Sequence, residues 1–412
     1  MTGPAEAVSE ARLWARLMDM ARIGAIPGEG VNRACLTPLD RQARRLLIGW
    51  AESIGAAVSV DPAANLWLRR AGSEAEAAPV LTGSHMDTQP NGGRFDGIYG
   101  VLAGLEALTA LHESGTVTRR PIEVVAWTNE EGGRFAPGCM GSMAWSGCKP
   151  LDAFAEVRDP DGVRFADALA EHLAEEADLP RRPLGNKPHA YVEAHIEQGP
   201  RLERDGRDIG VVTGIQGSRW FTVTLTGETA HAGTTPLALR RDAVQDMVRA
   251  VAALNALMQD PADVLRFTVG RIVVHPNTSN SVADRVAFTI DLRHPDAAVL
   301  RDRGDAIAAT VAAAVRNTGV AVEENFHALP VAFAPLVIDA VEHAAAAQHV
   351  SSLRLPSGAF HDAQFVVPIC PTGMIFVPCR NGISHNPAEF SSPAQLASGT
   401  RVLADALARL AA

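Results

Sequence analysis

The sequence predicts an α/β protein, with a mostly parallel sheet covered on its faces by helices and interrupted by a smaller α/β sandwich. Three observations predict it. Short apolar runs alternate with helical segments through the first part of the chain, the pattern changes near Thr213 to half-exposed strands, and the first pattern returns after about residue 328. At 412 residues the chain exceeds one ordinary core and has room for two domains.

Taken in order, ARLWARLMDMARIG (11–24) places apolar residues at helical spacing, and RQARRLLIGWAESIG (41–55) continues as a second helix. Then come the apolar strand in APVLTGSH, the helix of GIYGVLAGLEALTALHESG and the strand in PIEVVAWTNEE. Apolar strands separated by helices fit a sheet buried on both faces. The charged, alanine-rich segment 155–190 reads as a surface helix with linkers.

Beyond Thr213, RWFTVTLTGETAH and DRVAFTIDLRH alternate as half-exposed strands. With the helix of RRDAVQDMVRAVAALNALM, the strand RFTVGRIVVH and the helix of AVLRDRGDAIAATVAAAVRNTG, the order is βαββαβ. This inserted domain is placed at 213–328. The larger domain is therefore discontinuous, 1–212 with 329–412, and no internal repeat is visible.

Composition narrows the function. Apolar residues make up 47% and charged residues 20%, the balance of a globular protein. A net charge of −10 with only isolated basic pairs such as Arg119-Arg120 argues against nucleic acid. Five scattered cysteines without a CxxC pair point to reduced thiols in a cytoplasmic protein. The N-terminal stretch carries acidic residues and no continuous apolar core, so neither a signal peptide nor a membrane span is expected.

The chemistry concentrates in glycine-containing loops after apolar strands. In GSHMDTQPNGGRFDG (83–97), His85 and Asp87 are two apart at a strand end, which puts both on one side of an extended chain. The glycines and Asn91 permit a turn that brings Asp96 back toward His85. In TNEEGGRF (128–135), Glu130 and Glu131 repel each other unless something positive lies between them. One carboxylate can then ligate a cation while its neighbour stays free to carry a proton. EAHIEQGPRLE adds His195, Glu197 and Gln198, and GISHNPAEF adds His385. A lone histidine is usually a surface or hydrogen-bonded residue, and a lone acidic pair a solvated turn. Together, His85, Asp96, Glu131, His195 and His385 suit zinc, manganese, nickel or cobalt, and a shared carboxylate suits paired metals.

These blocks, with GETAHAGTTPLALRRDA, DLRHPD and SGAFHDA, resemble the N-carbamoyl-L-amino-acid amidohydrolases. That group includes β-ureidopropionase and allantoate amidohydrolase, within the aminoacylase and carboxypeptidase-G-type metallopeptidases. The matching blocks run from residue 83 to 390, and HIEQG discriminates best, because related peptidases that cut peptides generally carry a carboxylate at the position of His195.

The resemblance implies a di-metal hydrolase domain with an inserted ferredoxin-like dimerisation domain. It implies two divalent ions, one held by His85, Asp96 and His195, the other by a bridging Asp96 with Glu131 and His385. Asp87 would fix the tautomer of His85, and Glu130 would be the general base. His231, which the family uses to stabilise the oxyanion, usually reaches a partner subunit's site, so a homodimer through the inserted domain is implied. Asn280 and Arg293 resemble the clamp on the substrate carboxylate. Gln198 resembles the residue that hydrogen-bonds the ureido group, and Gly358 to His361 lies near the site in relatives. The chain departs from the pattern at Gly133, where many relatives carry serine, and at Phe360, where a smaller residue is usual and where the pocket would narrow.

The implied activity is metal-dependent hydrolysis of an N-carbamoyl-L-amino acid to the amino acid, carbon dioxide and ammonia. Allantoate, β-ureidopropionate or an N-acyl amino acid are the alternative substrates, since each offers a carboxylate to Arg293. A non-catalytic carboxylate-binding protein predicts a lost ligand or base, and every expected group is present. A dipeptidase is disfavoured by His195.

Overall fold

The computed structural model describes residues 3–412. The chain divides into two compact units, Met1–Thr213 with Ala332–Ala412, and Gly214–Val331.

The larger unit is built on a nine-stranded sheet. Its four central strands, Thr372–Val377, Ala190–Ile196, Val80–His85 and Ile122–Trp127, lie side by side and parallel. Every residue of these four strands is buried, as expected where both faces of a parallel sheet are covered. The margins are antiparallel, with Leu66–Arg70 against Ile122–Trp127, Ala57–Val60 beyond it, and Ile209–Ile215 on the other flank. The sequence reading expected a mostly parallel sheet, and the centre of the sheet is parallel. The link between Val60 and Leu66 is far too short for a parallel crossover, so that pair closes as a hairpin.

The helix Ile98–Glu113 is buried almost throughout and packs on the central strands and on the C-terminal helix Pro393–Leu410, where the Tyr99 hydroxyl donates to the Leu396 carbonyl at 3.0 Å. Gly100 permits this approach, because a Cβ there would lie 2.3 Å from the Ala194 carbonyl oxygen. Helix ends are set by local chemistry. Thr37 caps Pro38–Ser53 with proline in its first turn, and Ser392 and Gln395 form a capping box on the last helix. No helix among the described residues is long and apolar enough to cross a membrane.

The segment read as a surface helix is more deeply anchored than its composition suggests. Its helix, Phe165–Glu175, buries His172, and the following Glu176 takes both arms of buried Arg44 at 2.7 Å each. Burial alone would raise the Glu176 pKa, but the Arg44 fork outweighs it and holds the carboxyl well below the usual carboxylate range. Charge patterning could not reveal this, because the partner lies 132 residues away.

The inserted unit has four antiparallel strands in the order Arg266–His275, Arg285–His294, Gly217–Thr226, Gly319–Ala328. Helices Ala243–Leu257 and Ala297–Ala314, capped by Asp242 and Asp296, cover one face. The chain order is the βαββαβ read from the sequence. Along Arg285–His294, Val286, Phe288, Ile290 and Leu292 enter the core, so Arg285, Ala287, Thr289, Asp291 and Arg293 share the opposite face. The outer edge of Arg266–His275 has no strand beside it among the described residues, and Ile272 and Val273 are exposed there.

Removing one member of the buried Arg44–Glu176 pair leaves the other charge unpaired. Glu176→Ala is expected to lower unfolding stability by roughly 3–5 kcal/mol in urea titrations, and an effect below about 1 kcal/mol would contradict the buried geometry.

Candidate active site

The four parallel strands end at one edge, and the chemistry-bearing loops leave from that edge, where open α/β sheets place their sites. His85 is the last residue of its strand and pairs in register with Trp127, after which Thr128–Glu131 turns away. His195 stands near the end of the next strand, opposite Phe376.

The two inner imidazoles are oriented by carbonyls. His85 Nδ1 lies 2.9 Å from the Asp87 carbonyl oxygen, and His195 Nδ1 lies 2.9 Å from that of Ile196. A carbonyl only accepts, so each Nδ1 carries hydrogen and each Nε2 of a neutral ring presents a lone pair. The Gly97 amide donates to His195 Nε2 at 3.2 Å, which agrees with that tautomer. Both Nε2 atoms face Asp96 Oδ1, at 3.9 Å from His85 and 3.2 Å from His195. The other Asp96 oxygen, Oδ2, lies 3.3 Å from His385 Nε2, which is itself 3.3 Å from Glu131 Oε2.

Two ligand groups thus share one carboxylate, His85–Asp96–His195 and Asp96–Glu131–His385. The first is fully buried, while the second opens to solvent through a half-exposed His385. Glu130 stands outside both groups, with Oε2 3.4 Å from His85 Nε2 and Oε1 3.7 Å from the Cys139 sulfur.

The electrostatics of the cluster favour a cation. Burial pushes Glu130 well above its ordinary range, with Asp362 and Glu131 adding to the effect. Burial and the charge of Asp96 raise Glu131 to about 8, and burial and Asp40 raise Asp87 to about 7. Burial lowers His85 to about 4. Burial also works against charge on His195, but the hydrogen bond and charge of Asp96 prevail and raise it to about 9. The hydrogen bond with Asp96 raises His385 to about 9 as well. Acceptors of carboxylate and imidazole type converge on two points, and without a cation they must borrow protons. The donor set fits divalent cations of the zinc, manganese, nickel and cobalt kind.

Several orienting residues carried no signal in the sequence reading. The Glu389 carboxylate accepts the amides of Phe95 and Asp96 at 2.9 and 3.0 Å and so holds the shared aspartate in place. Ser384 lies 3.0 Å from Asp96 Oδ2 and 2.8 Å from Glu389 Oε2. Gln89 grips Glu131, and Asn129, in a left-handed conformation, turns the chain between the strand and the acidic pair. Gly97 has a positive φ, and a Cβ there would sit 2.2–2.3 Å from the His85 ring. None of these stands in a ligand-type pattern. Glu389, four residues after His385 in the same loop, was the nearest to a visible signal.

Some expectations are corrected. Asp87 was expected to fix the tautomer of His85, and the group that lies against Nδ1 is its backbone carbonyl, with the nearer carboxylate oxygen at 3.7 Å. The Asp87 carboxylate instead accepts the amides of Glu130 and Glu131, both at 3.2 Å, and shapes the acidic turn. Gln198, expected to face substrate, donates through Nε2 to Asp96 Oδ2 at 2.9 Å and to Ser384. Its buried Oε1 has no partner among the described residues. His361 is buried with its ring 4.6 Å from that of His195 and its Nε2 2.9 Å from the Ser357 hydroxyl, while Gly358 lies exposed at the preceding turn and Phe360 is half-buried.

In the inserted unit, Nδ1 of His231 accepts the amides of Gly233 and Thr234 at 3.0 and 3.2 Å, which leaves the proton of the neutral ring on Nε2. Its strand pairs with Ser281, so Asn280 lies beside it, and the Asn280 carbonyl accepts the Ala232 amide at 3.0 Å. Arg293 does not join Asn280 in one clamp. It sits at the far end of Arg285–His294, about 26 Å along the strand from Arg285 at roughly 3.3 Å per residue, and its fork engages Asp291.

The chain belongs to the family described as "Peptidase family M20/M25/M40", whose model matches residues 81–409. It is 40% identical to an N-carbamoyl-L-amino-acid amidohydrolase of Rhizobium meliloti, over 98% of this chain and 97% of that protein. It is 36% identical to an allantoate amidohydrolase of Escherichia coli (strain K12), over 98% of each. Among solved structures it is similar to an amidase of the hydantoinase/carbamoylase family from Burkholderia multivorans, with a TM-score of 0.92 and 45% identity over 98% of each chain.

His385 and Glu131 are drawn toward their protonated forms at neutral pH when no cation is bound, because Asp96 raises His385 to about 9 and burial with Asp96 raises Glu131 to about 8. They must lose those protons to ligate, so proton competition weakens as pH rises toward 9. Manganese added at pH 7 is expected to release protons, read by calorimetry in buffers of differing ionisation enthalpy. Uptake of the ion without proton release would contradict this electrostatic account.

Proposed function

We propose that the chain is a metal-dependent amidohydrolase that cleaves the ureido carbon–nitrogen bond of N-carbamoyl-L-amino acids, yielding the amino acid, carbon dioxide and ammonia. The observation that carries this reading is Asp96 shared between two imidazole-bearing groups, with Glu130 against His85 and a member of neither group. Two divalent ions held by His85, Asp96, His195, Glu131 and His385 would acidify water and polarise the carbonyl.

The chain's own residues supply the rest. Glu130, poised by burial and by neighbouring acids to hold a proton, takes one from the attacking water and hands it to the leaving nitrogen. Its amide is tied to Asp87, so the carboxylate keeps its aim. The unpartnered Oε1 of Gln198 is an acceptor suited to a ureido N–H. His231 offers an Nε2–H for the developing oxyanion, and the fork of Arg293 suits the substrate carboxylate, exchanging Asp291 for it.

The proposed assembly is a homodimer through the inserted domain. Two features support it. The long strand Arg266–His275 leaves an edge with exposed apolar residues, which isolated proteins rarely tolerate. His231 and Asn280 stand at the opposite end of the sheet from Arg293, so one small substrate meets both ends only if two chains contribute. Five free cysteines support a reducing, cytoplasmic setting.

Two N-carbamoyl-L-amino-acid amidohydrolases at 40% identity support the N-carbamoyl reading, while a third at 35% stands level with the allantoate amidohydrolases at 35–36%. A panel of N-carbamoyl amino acids, allantoate, β-ureidopropionate and N-acyl amino acids, followed by ammonia release, tests the choice. Highest turnover is expected on N-carbamoyl-L-amino acids, and preference for allantoate would reassign the substrate. Glu130→Gln is expected to lower kcat by about 10²–10⁴-fold with metal content unchanged, and full activity in that variant would exclude the proposed base. Mixing inactive His231→Ala and Arg293→Ala chains is expected to restore part of the activity through mixed dimers. No recovery on mixing would count against a site shared between subunits.

A further inference from the structure

We propose that Gln89 is a positioning residue that holds Glu131 in place as a ligand and thereby supports one of the two ion positions selectively. Three contacts carry this. The Gln89 amide donates to Glu131 Oε1 at 3.1 Å, and its side-chain Nε2 donates to Glu131 Oε2 at 2.9 Å and to the Glu131 carbonyl at 3.0 Å. A carboxamide nitrogen has two hydrogens, and both are used on the same residue. The reverse orientation of the amide would set its oxygen against two acceptors, so the hydrogen-bond network assigns the group one way round.

The consequence for Glu131 is specific. A donor already occupies Oε1, and Nε2 fixes the direction of Oε2, the oxygen 3.3 Å from His385. Gln89 leaves the His85–Asp96–His195 group alone, because those members are aimed by the carbonyls of Asp87 and Ile196 and by Glu389. The two groups therefore differ in how they are held. The inner one is buried and fixed largely by backbone, while the outer one includes a half-exposed imidazole and a carboxylate steadied by a single side chain. Groups that orient a ligating carboxylate commonly change metal affinity 10–100-fold when removed. Gly133 lies beside the carboxamide, where an added Cβ would make only an ordinary contact of 3.5 Å with Gln89 Oε1.

This inference rests on the two-ion reading of the site, and the test separates the two. The full-length chain, stripped with a chelator, is titrated with Mn²⁺ by calorimetry, and bound ions are counted by elemental analysis after dialysis. Wild type is expected to bind two ions. Gln89→Met keeps the length and loses both donors, and is expected to bind one ion with unchanged affinity and the second about ten-fold or more weakly, with the metal-free melting temperature unchanged. Gln89→Ala is read in its place if the methionine variant does not fold. Two ions at wild-type affinity in the variant, or equal weakening of both, would overturn the assignment while the two-ion reading survives. A wild-type chain that binds fewer than two ions would overturn that reading and the role of Gln89 with it.

Discussion

The Asp96 carboxylate is the group on which the site depends. One oxygen faces His85 and His195, the other faces His385, and the residue is buried with its backbone amide held by Glu389. The carboxylate draws protons to the two rings nearest it, so His195 and His385 are pushed up while Asp96 falls well below its ordinary range against the effect of burial. His85, 3.9 Å away, is instead lowered by burial. Much of the surrounding structure serves to keep this one side chain in position. Gly97 leaves space for the His85 ring, and Ser384 and Gln198 crowd Asp96 Oδ2.

That arrangement requires the sheet. Four parallel strands that end together bring loops from residues 85, 130, 195 and 385 to one edge, and the buried Ile98–Glu113 helix closes directly after the aspartate. The antiparallel margins contribute no ligand and widen the platform. The acidic turn is shaped from beneath by Asp87, whose carboxylate collects two successive amides. A residue type that could have been a ligand is used as a brace, and its carbonyl, which no side-chain pattern reveals, aims the histidine.

The parts legible in the sequence follow from this division of labour. Ligand-type residues in glycine-containing loops stand out, because imidazoles and carboxylates after an apolar strand are costly unless used. The alternation of strands and helices was likewise plain, since the inserted unit has a period-two core and the central strands are short, largely apolar runs. Orienting groups stayed hidden. Gln89, Ser384 and Glu389 are ordinary polar residues whose roles arise only when separate loops meet, 42 positions apart for Gln89 and Glu131 and 294 for Phe95 and Glu389. The Arg44–Glu176 pair was missed for the same reason, and the separation of Asn280 from Arg293 required a strand register that spacing does not supply.

The placement of His385 has a consequence for biosynthesis. The outer ligand group draws members from positions 96, 131 and 385, so during translation it is incomplete until nearly all of the 412 residues have left the ribosome. The inner group, by contrast, has every ligand in hand once residue 195 has been made. The two groups are thus completed at different points of synthesis, the inner one midway and the outer one only when the stretch that bears His385 folds back.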